Sequence, residues 1–540
     1  MMNSTACILQ LSVSWDALPS STREALWSRL QSMLSGGTFN QLDLMNSFWA
    51  MSIMTTYDRR SIISSEAVAT AEGQKAIALD PHPSPLQLTA IFMPDIIRLS
   101  SHFTAVTLAT VYYSLSKLGC SYRWSSSSST SSSSSSSQLQ HHHQAVFSSL
   151  EARFTAPDVQ PSGSEVAGII YSLGRMQCSF YSHQLTPAMQ SKLLRTTAEV
   201  MPDMTEQELG NSVWGLGQMG VHYPTMPVSL RTSLEDALGR EHMQLRKQAL
   251  VAILQGLGKG FNETTAPWYS LPQGLRRVMV DNIRRLSPSL RDASPVLSVG
   301  HSVLVGNILL ALGHLRVSWL DDEIADLLST HLLPHLLQSN GSCGPMDDDG
   351  DDAADRDRRR YASQSATAAV NGVARMSSAL EWTDIPLMVR TFVLDMISRH
   401  VGSMTTPSEL STLLWSLAKL GMKKIVLPPE TKQQLLSPLM ELAGQMTGHE
   451  LVWCIWSLGR MDLLYADLPA ELQKKLVSSC MESRAIESMS LEEFGLMLWS
   501  LAKVQVPMDD MPSAMKEALQ YGIDNLTGTT KQKRAAIGSV

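Results

Sequence analysis

What the sequence lacks first is an excess of positive charge. Lys plus Arg number 43 against 50 Asp plus Glu, a formal net charge of -7. Overall charge therefore gives no argument for a polyanion binder, and any nucleic-acid surface has to be a local stripe. Charged residues make up 17% and aromatics 6%. No run of 18 apolar residues occurs, so no transmembrane helix is expected. The cysteines, Cys7, Cys120, Cys178, Cys343, Cys454 and Cys480, are scattered and form no C-x-x-C pair. That pattern fits a reducing compartment and argues against a disulfide framework or a zinc knuckle. No G-x-x-x-x-G-K-[ST], H-E-x-x-H or G-x-S-x-G motif is present. His449-Glu450 opens like a zincin helix, but Trp453 stands where the second His belongs. Gly256, Gly258 and Gly260 fall in helical register with no strand before them, against a dinucleotide loop. The expectation is a protein that is not an enzyme, with no catalytic residue, no cofactor and no metal. The first Arg is Arg23 and no basic n-region precedes it, so neither a secretory signal nor a transit peptide is read at the start.

What the sequence does have is apolar content, 44% with 30 Met, and a repeat. PSELSTLLWSLAKLG (407–421), GHELVWCIWSLGRMD (448–462) and LEEFGLMLWSLAKVQ (491–505) are variants of one motif, and EQELGNSVWGLGQMG (206–220) is a fourth. Weaker copies begin at 106 and 165, and degenerate ones lie at 46–54, 250–260, 307–316 and 366–376. Aligned on one central position, the anchors are Trp49, Tyr113, Tyr171, Trp214, Gln255, Leu310, Asn371, Trp415, Trp456 and Trp499. Trp415, Trp456 and Trp499 are 41 and 43 residues apart; longer intervals carry insertions. The period is 41 to 44 and ten units are read.

Each unit has the same grammar. Nine residues before the anchor stands a Ser or Thr with Glu three further on: Ser162/Glu165, Thr205/Glu208, Thr406/Glu409, Thr447/Glu450 and Ser490/Glu493. This is a capping box, which satisfies backbone N–H groups at a helix start. Apolar residues follow at helical spacing, as in Leu410, Leu414, Leu417 and Leu420. Gly119, Gly220 and Gly421 close the helix, as a C′ position prefers. A Pro then opens a second helix: Pro227, Pro428, Pro469 and Pro512, with Pro187, Pro272 and Pro386 slightly later. A unit is thus helix A, a turn and helix B. Neither can bury its stripe alone, and stacked units can, so the expected fold is all-α, an α-solenoid of about ten two-helix repeats with insertions. The anchors and the small residues Ser416, Ser457, Ser500 and Gly215 are expected mostly in the core.

The expected organisation is a partial unit over 1–39, repeats over 40–120, a Ser/His-rich disordered loop over 121–160 and repeats over 161–337. An acidic, Arg-containing loop over 338–364 follows, then repeats over 365–520 and a basic tail over 521–540. Residues 18–34 read as an isolated helix B, and 55–92 and 261–300 as partly helical insertions. His141, His142 and His143 lack a surrounding ligand set, so metal binding is not read there. In the Asp-rich tract from Asp347 the one glycine, Gly350, does not give the D-x-D-x-D-G loop and position twelve is no Glu, against an EF-hand.

One feature points to a ligand. Four residues after the anchor stand Lys117, Arg175, Gln218, Lys259, His314, Arg375, Lys419, Arg460 and Lys503. Stacking sets such positions in a row that is able to follow a phosphate backbone. The competing reading is a cation placed in the last helical turn, where it favours the macrodipole and caps carbonyls. Three residues before the anchor, Asn46, Thr110, Asn211, Asn307 and Thr412 are polar and suited to base edges, whereas Gly168, Ala252, Ala368, Trp453 and Leu496 are not.

The motif L-x-x-L-L-W-S-L-A-K-L-G followed by Leu427-Pro428-Pro429-Glu430 resembles the octotricopeptide and heptatricopeptide repeats. These are organellar RNA-binding solenoids related to FAST kinase-like and RAP-domain proteins. The motif is also similar to repeat subunits of RNA-editing substrate-binding complexes. The resemblance covers most of 40–520; the period is longer than the family's, and the full P-P-P-E-W signature and a RAP domain are missing. It implies single-stranded RNA as partner, a transcript or rRNA of a mitochondrion or chloroplast, and a role in RNA processing, stability, editing or translation. With that partner, the ladder reading gives RNA contact through Lys117, Arg175, Lys259, Arg375, Lys419, Arg460 and Lys503, with Asn211 and Thr412 as selectivity positions. The alternative is a protein-binding scaffold of the armadillo or HEAT kind, for which the negative net charge and high Met content speak.

Overall fold

A computed structural model describes residues 19–35, 40–53, 85–121, 134–182, 184–240, 243–259, 267–288, 295–339, 353–376, 381–481 and 491–507, with 511, 513, 516 and 517. Ser490, Pro512, Cys7, Cys343, Gly260, the Ser run before 134, the Asp run at 347–352 and the tail 521–540 lie outside these residues. Among the described residues every regular element is helical and no strand occurs. The contacts divide the chain into two compact units, Met1–Thr265 with Ser270–Met279, and Ala266–Tyr269 with Val280–Val540.

Within the first unit, helices Ala105–Lys117, Gly163–Arg175, Glu206–Gln218 and Lys247–Gly258 pack side by side in chain order. A second row, Pro85–Leu99, Ser134–Thr155, Pro187–Val200 and Val228–Gly239, packs likewise. The second unit repeats the plan. Its A row is Pro295–His314, Ala353–Met376, Pro407–Lys419, Gly448–Arg460 and Leu491–Val504. Its B row includes Leu333–Ser339, Leu387–His400, Pro429–Leu442 and Ala470–Met481. All ten anchors lie in A helices, the degenerate Gln255, Leu310 and Asn371 included.

Small residues set the spacing of the A rows. The residue after the anchor is Gly215, Gly256 or Gly372 in three units, and a Cβ on Gly215 would stand 2.5 Å from the Ile170 carbonyl oxygen. Gly217 meets Gly256, and Gly313 meets Gly372, backbone to backbone. In four units that have Ser instead, the hydroxyl turns back on its own helix. Ser172, Ser416, Ser457 and Ser500 donate to the carbonyl four residues earlier at 2.6 to 2.7 Å and are fully buried. A small polar group is thus satisfied without a partner from outside the helix.

The turns follow the same register. Gly119, Gly220 and Gly421 have φ of 74°, 84° and 71°, as their C′ positions require. Gln177, Arg316, Asp462 and Gln505 hold the equivalent place at φ of 51° to 64°, where a side chain costs about 1 kcal/mol or more. The full box forms at Thr205/Glu208 and Thr447/Glu450. At Ser162 the backbone N–H donates to Glu165 at 2.6 Å. At Thr406 only the hydroxyl half forms, because the Glu409 carboxylate is buried against the Ser363 hydroxyl. Thr104 caps its helix with no Glu to help, accepting from Thr107 N–H at 3.3 Å.

Two expected loops are partly helix. Ser134–Thr155, inside the Ser/His-rich segment 121–160, is helix B of the Tyr113 unit. Val146, Phe147, Leu150 and Phe154 form its buried stripe, and His143 packs edge-on to Phe147. Composition dominated that reading, whereas spacings of three and four among those apolar residues decide the structure. Likewise Ala353–Met376 begins inside 338–364, making a long helix A whose end buries Ala369, Val370 and Val373. Pro85–Leu99, in part of the 55–92 insertion, is helix B of the Trp49 unit, and the expected isolated helix B is the helix Ser20–Ser35, which packs on it.

Burial lowers the pKa of His143, His222 and His400 from the ordinary value, with Arg399 adding to the effect at His400. The folded state then holds these rings neutral while the unfolded chain binds protons near pH 6.5. The unfolded state takes up more protons in that window, so stability is full above about pH 7 and falls as pH drops below about 6.5. Thermal unfolding should shift down by several degrees between pH 7.5 and 5.5, and His143→Leu/His400→Leu should flatten the dependence.

Candidate nucleic-acid interface

Helix A is covered on three sides, by helix B and by the A helices before and after it. The residues seven and three before the anchor, the anchor itself and the one four after it are left. These recur every three or four positions and fall on one open stripe. In the Trp214 unit they are Gln207, Asn211, Trp214 and Gln218, all half-buried or exposed; in the Trp415 unit they are Ser408, Thr412, Trp415 and Lys419. The aromatic anchors are therefore not core residues as expected: Trp49 and Trp499 are 37% and 44% exposed, and Tyr113, Tyr171, Trp214, Trp415 and Trp456 are half-buried. The residues immediately before them, among them Tyr112, Ile170, Val213, Leu414 and Ile455, are buried and supply the core. One residue along a helix is a rotation of about 100°, enough to move the ring from the buried face to the ridge.

Every ladder residue lies on this stripe. In the first unit Lys117 is half-buried and Arg175 and Lys259 are exposed, with Asn211 between them along the chain. In the second unit Arg375 and Lys419 are half-buried, Arg460 and Lys503 exposed, and Thr412 accompanies them. The Lys117 ammonium stands 5.2 Å from the Tyr113 ring centre. Lys419 and Arg375 both stand 5.0 Å from the Trp415 ring, and Arg460 stands 5.7 Å from Trp456. Arg375 reaches that ring from the preceding repeat and also donates from Nε to Asn371 at 2.8 Å. Tyr171 and Trp214, anchors of adjacent repeats, approach to 5.0 Å between ring centres.

Other groups cap the helix ends. Phe180 N–H donates to the Met219 carbonyl at 2.8 Å, and Lys424 N–H to the Met461 carbonyl at 2.7 Å. Trp268 N–H donates to Leu315 in the same way. Each bond runs from the A–B turn of one repeat to the C-terminus of the next helix A. The Arg460 carbonyl itself accepts from Lys423 Nζ at 3.0 Å. In the Trp214, Leu310 and Trp456 units a carbonyl at the helix end is thus taken by the neighbouring repeat, and the cations of Lys117, Arg375, Lys419 and Arg460 lie over rings. Acidic neighbours are sparse on the stripe. Asp462 stands 3.1 Å from Lys423 and 4.0 Å from Lys503, and exposed pairs of this kind are weak.

Cys178 and Cys480 are buried thiols pushed up to about 12, and Cys120 and Cys454 are raised by the same burial, so none is a ready nucleophile. Among the described residues no group of three or more His, Cys, Asp or Glu is placed to hold a metal, and no helix is long and apolar enough to cross a membrane. Sequence reasoning missed the cross-repeat contact of Arg375 with Trp415 and the ring cluster at Trp453. The spacing of 44 residues between their repeats held the first, and an aromatic three before its anchor was the visible sign of the second. No protein-family model matches the chain, and no curated protein matches it either.

Proposed function

We propose that the chain is a single-stranded RNA-binding repeat protein with no enzymatic activity, and that the open stripe of the A helices is its binding surface. The observation that carries this reading is the pairing, repeat after repeat, of an accessible aromatic ring with a Lys or Arg on the same ridge. Phosphates supply affinity through cations, and unpaired bases supply it through stacking on rings. Double-stranded nucleic acid offers phosphates but no exposed base faces, so the combination favours single strands. The resemblance of the repeat motif to the octotricopeptide and heptatricopeptide families supports the same reading. It extends the proposal to organellar transcripts or rRNA and to their processing, stability, editing or translation.

The test is a fluorescence-polarisation titration of the full chain with single-stranded RNA over a salt series. If about five ladder cations meet phosphates, log affinity against log salt should have a slope of roughly -3.5. A flat salt dependence, or equal affinity for a duplex, would sink the proposal. A protein-binding scaffold is the second reading, favoured by Leu320, Leu387 and Ile425, large apolar residues exposed at or just after the A–B turns. Under that reading RNA does not bind at any salt concentration.

A further inference from the structure

One repeat departs from the pattern. Three residues before the anchor the other described units carry Asn, Thr, Gly, Ala or Leu, but the Trp456 unit carries Trp453. Trp453 is half-buried on the open stripe. It meets Trp456 at 5.6 Å and 77°, and Trp415 of the preceding repeat at 6.5 Å and 87°. His449 makes a third wall at 6.0 Å and 74°. Trp453 Nε1 donates to His449 Nε2 at 3.0 Å, which puts the His449 proton on Nδ1, facing Glu493 Oε1 at 2.5 Å. Glu493 belongs to the helix A that follows, so three successive repeats hold this cluster in place.

Two of the three indoles already carry cations: Arg375 and Lys419 on Trp415, and Arg460 on Trp456. Among the described residues none stands over Trp453. Its polar edge is satisfied by His449, so what it offers solvent is ring surface. We infer that this corner of near-perpendicular rings is a base-binding subsite for an unpaired purine of the RNA, resting on the reading of the stripe given above. A purine stacked on one wall meets the next edge-on, the arrangement aromatic quadrupoles prefer. The larger ring system gains more from two walls than a pyrimidine does. Charge complementarity selects a nucleotide over a neutral aromatic ligand. Arg375, Lys419 and Arg460 surround the corner, and the phosphates on either side of the base draw them off their rings.

The experiment compares a short oligoadenylate with an abasic ribose-phosphate chain of equal length, titrated into the full-length protein. Thr is the native residue at this register in the preceding repeat (Thr412), so Trp453→Thr is the chosen variant and Trp453→Phe its conservative partner. Wild type should bind oligoadenylate more tightly than the abasic chain, with quenching of tryptophan fluorescence. Trp453→Thr should weaken oligoadenylate binding about tenfold and leave the abasic chain unchanged, and Trp453→Phe should retain most of the affinity. Equal oligoadenylate affinity in wild type and a folded Trp453→Thr would overturn the subsite while leaving the RNA surface standing. Failure of wild type to bind either ligand would overturn both.

Discussion

Gly372→Val should break the second unit's stack and lower its stability by about 3 kcal/mol or more. Gly372 lies directly after the Asn371 anchor, where helix Ala353–Met376 crosses Pro295–His314. A Cβ there would fall 2.5 Å from the Leu310 nitrogen and closer still to the Leu309 carbonyl. Those atoms are backbone and are unable to rotate away, so the two A helices must separate. Separation uncovers Leu309, Leu312 and Val373, each fully buried. In a repeat array stability is the sum of repeats and their interfaces, so one opened interface uncouples what lies on either side of it. Urea denaturation followed by far-ultraviolet circular dichroism should show an earlier and broader transition. Gly495→Ala is the control: nothing lies within 4 Å of a Cβ there, and it sits inside a helix A of the same unit. That change should be neutral or stabilise by up to about 1 kcal/mol. Equal midpoints for Gly372→Val and wild type would refute the close approach of the A helices.

Reversing Lys419, Arg460 and Lys503 together to Glu should lower RNA affinity by about 100-fold or more. Arg460 and Lys503 are exposed and Lys419 is half-buried on the ridge, all on successive A helices of one unit, so the change replaces a positive row with a negative one. Neutralisation to Gln separates the two contributions. It removes the contacts without adding repulsion, and the salt slope should fall by roughly 2, three contacts at about 0.7 each. Folding should survive, because the C-terminal carbonyls are held by the neighbouring repeat, as with Lys424 N–H on Met461. Unchanged affinity in a folded triple variant would refute the cationic row as the RNA contact. A large loss of stability in the Gln variant would show instead that these cations serve the helices.

The bare sequence already distinguished a cation at a helix end from a cation on a ridge as two readings, but it had no means to choose. Bonds between residues about 40 apart, such as Lys423 Nζ on the Arg460 carbonyl, show a helix-end carbonyl satisfied by another repeat. Asn211 and Thr412 do lie on the open stripe, and periodicity placed them there. The Glu of the capping box was legible as well, yet Glu409 turns away from its cap to Ser363 because the preceding repeat brings that hydroxyl within 3.2 Å.

Local rules therefore determined the two-helix repeat, its ten anchors and which residues of each helix share a face. These depend on capping, turn glycines and a period of 3.6, all of which act over a few residues. Only the tertiary structure decided that the aromatic anchors form an accessible ridge and that Ser134–Thr155 is a packed helix. It also showed Trp415, Trp453, Trp456 and His449 meeting in one corner. Each of these depends on which neighbour covers which face, and that is a property of the stacked repeats rather than of any one of them.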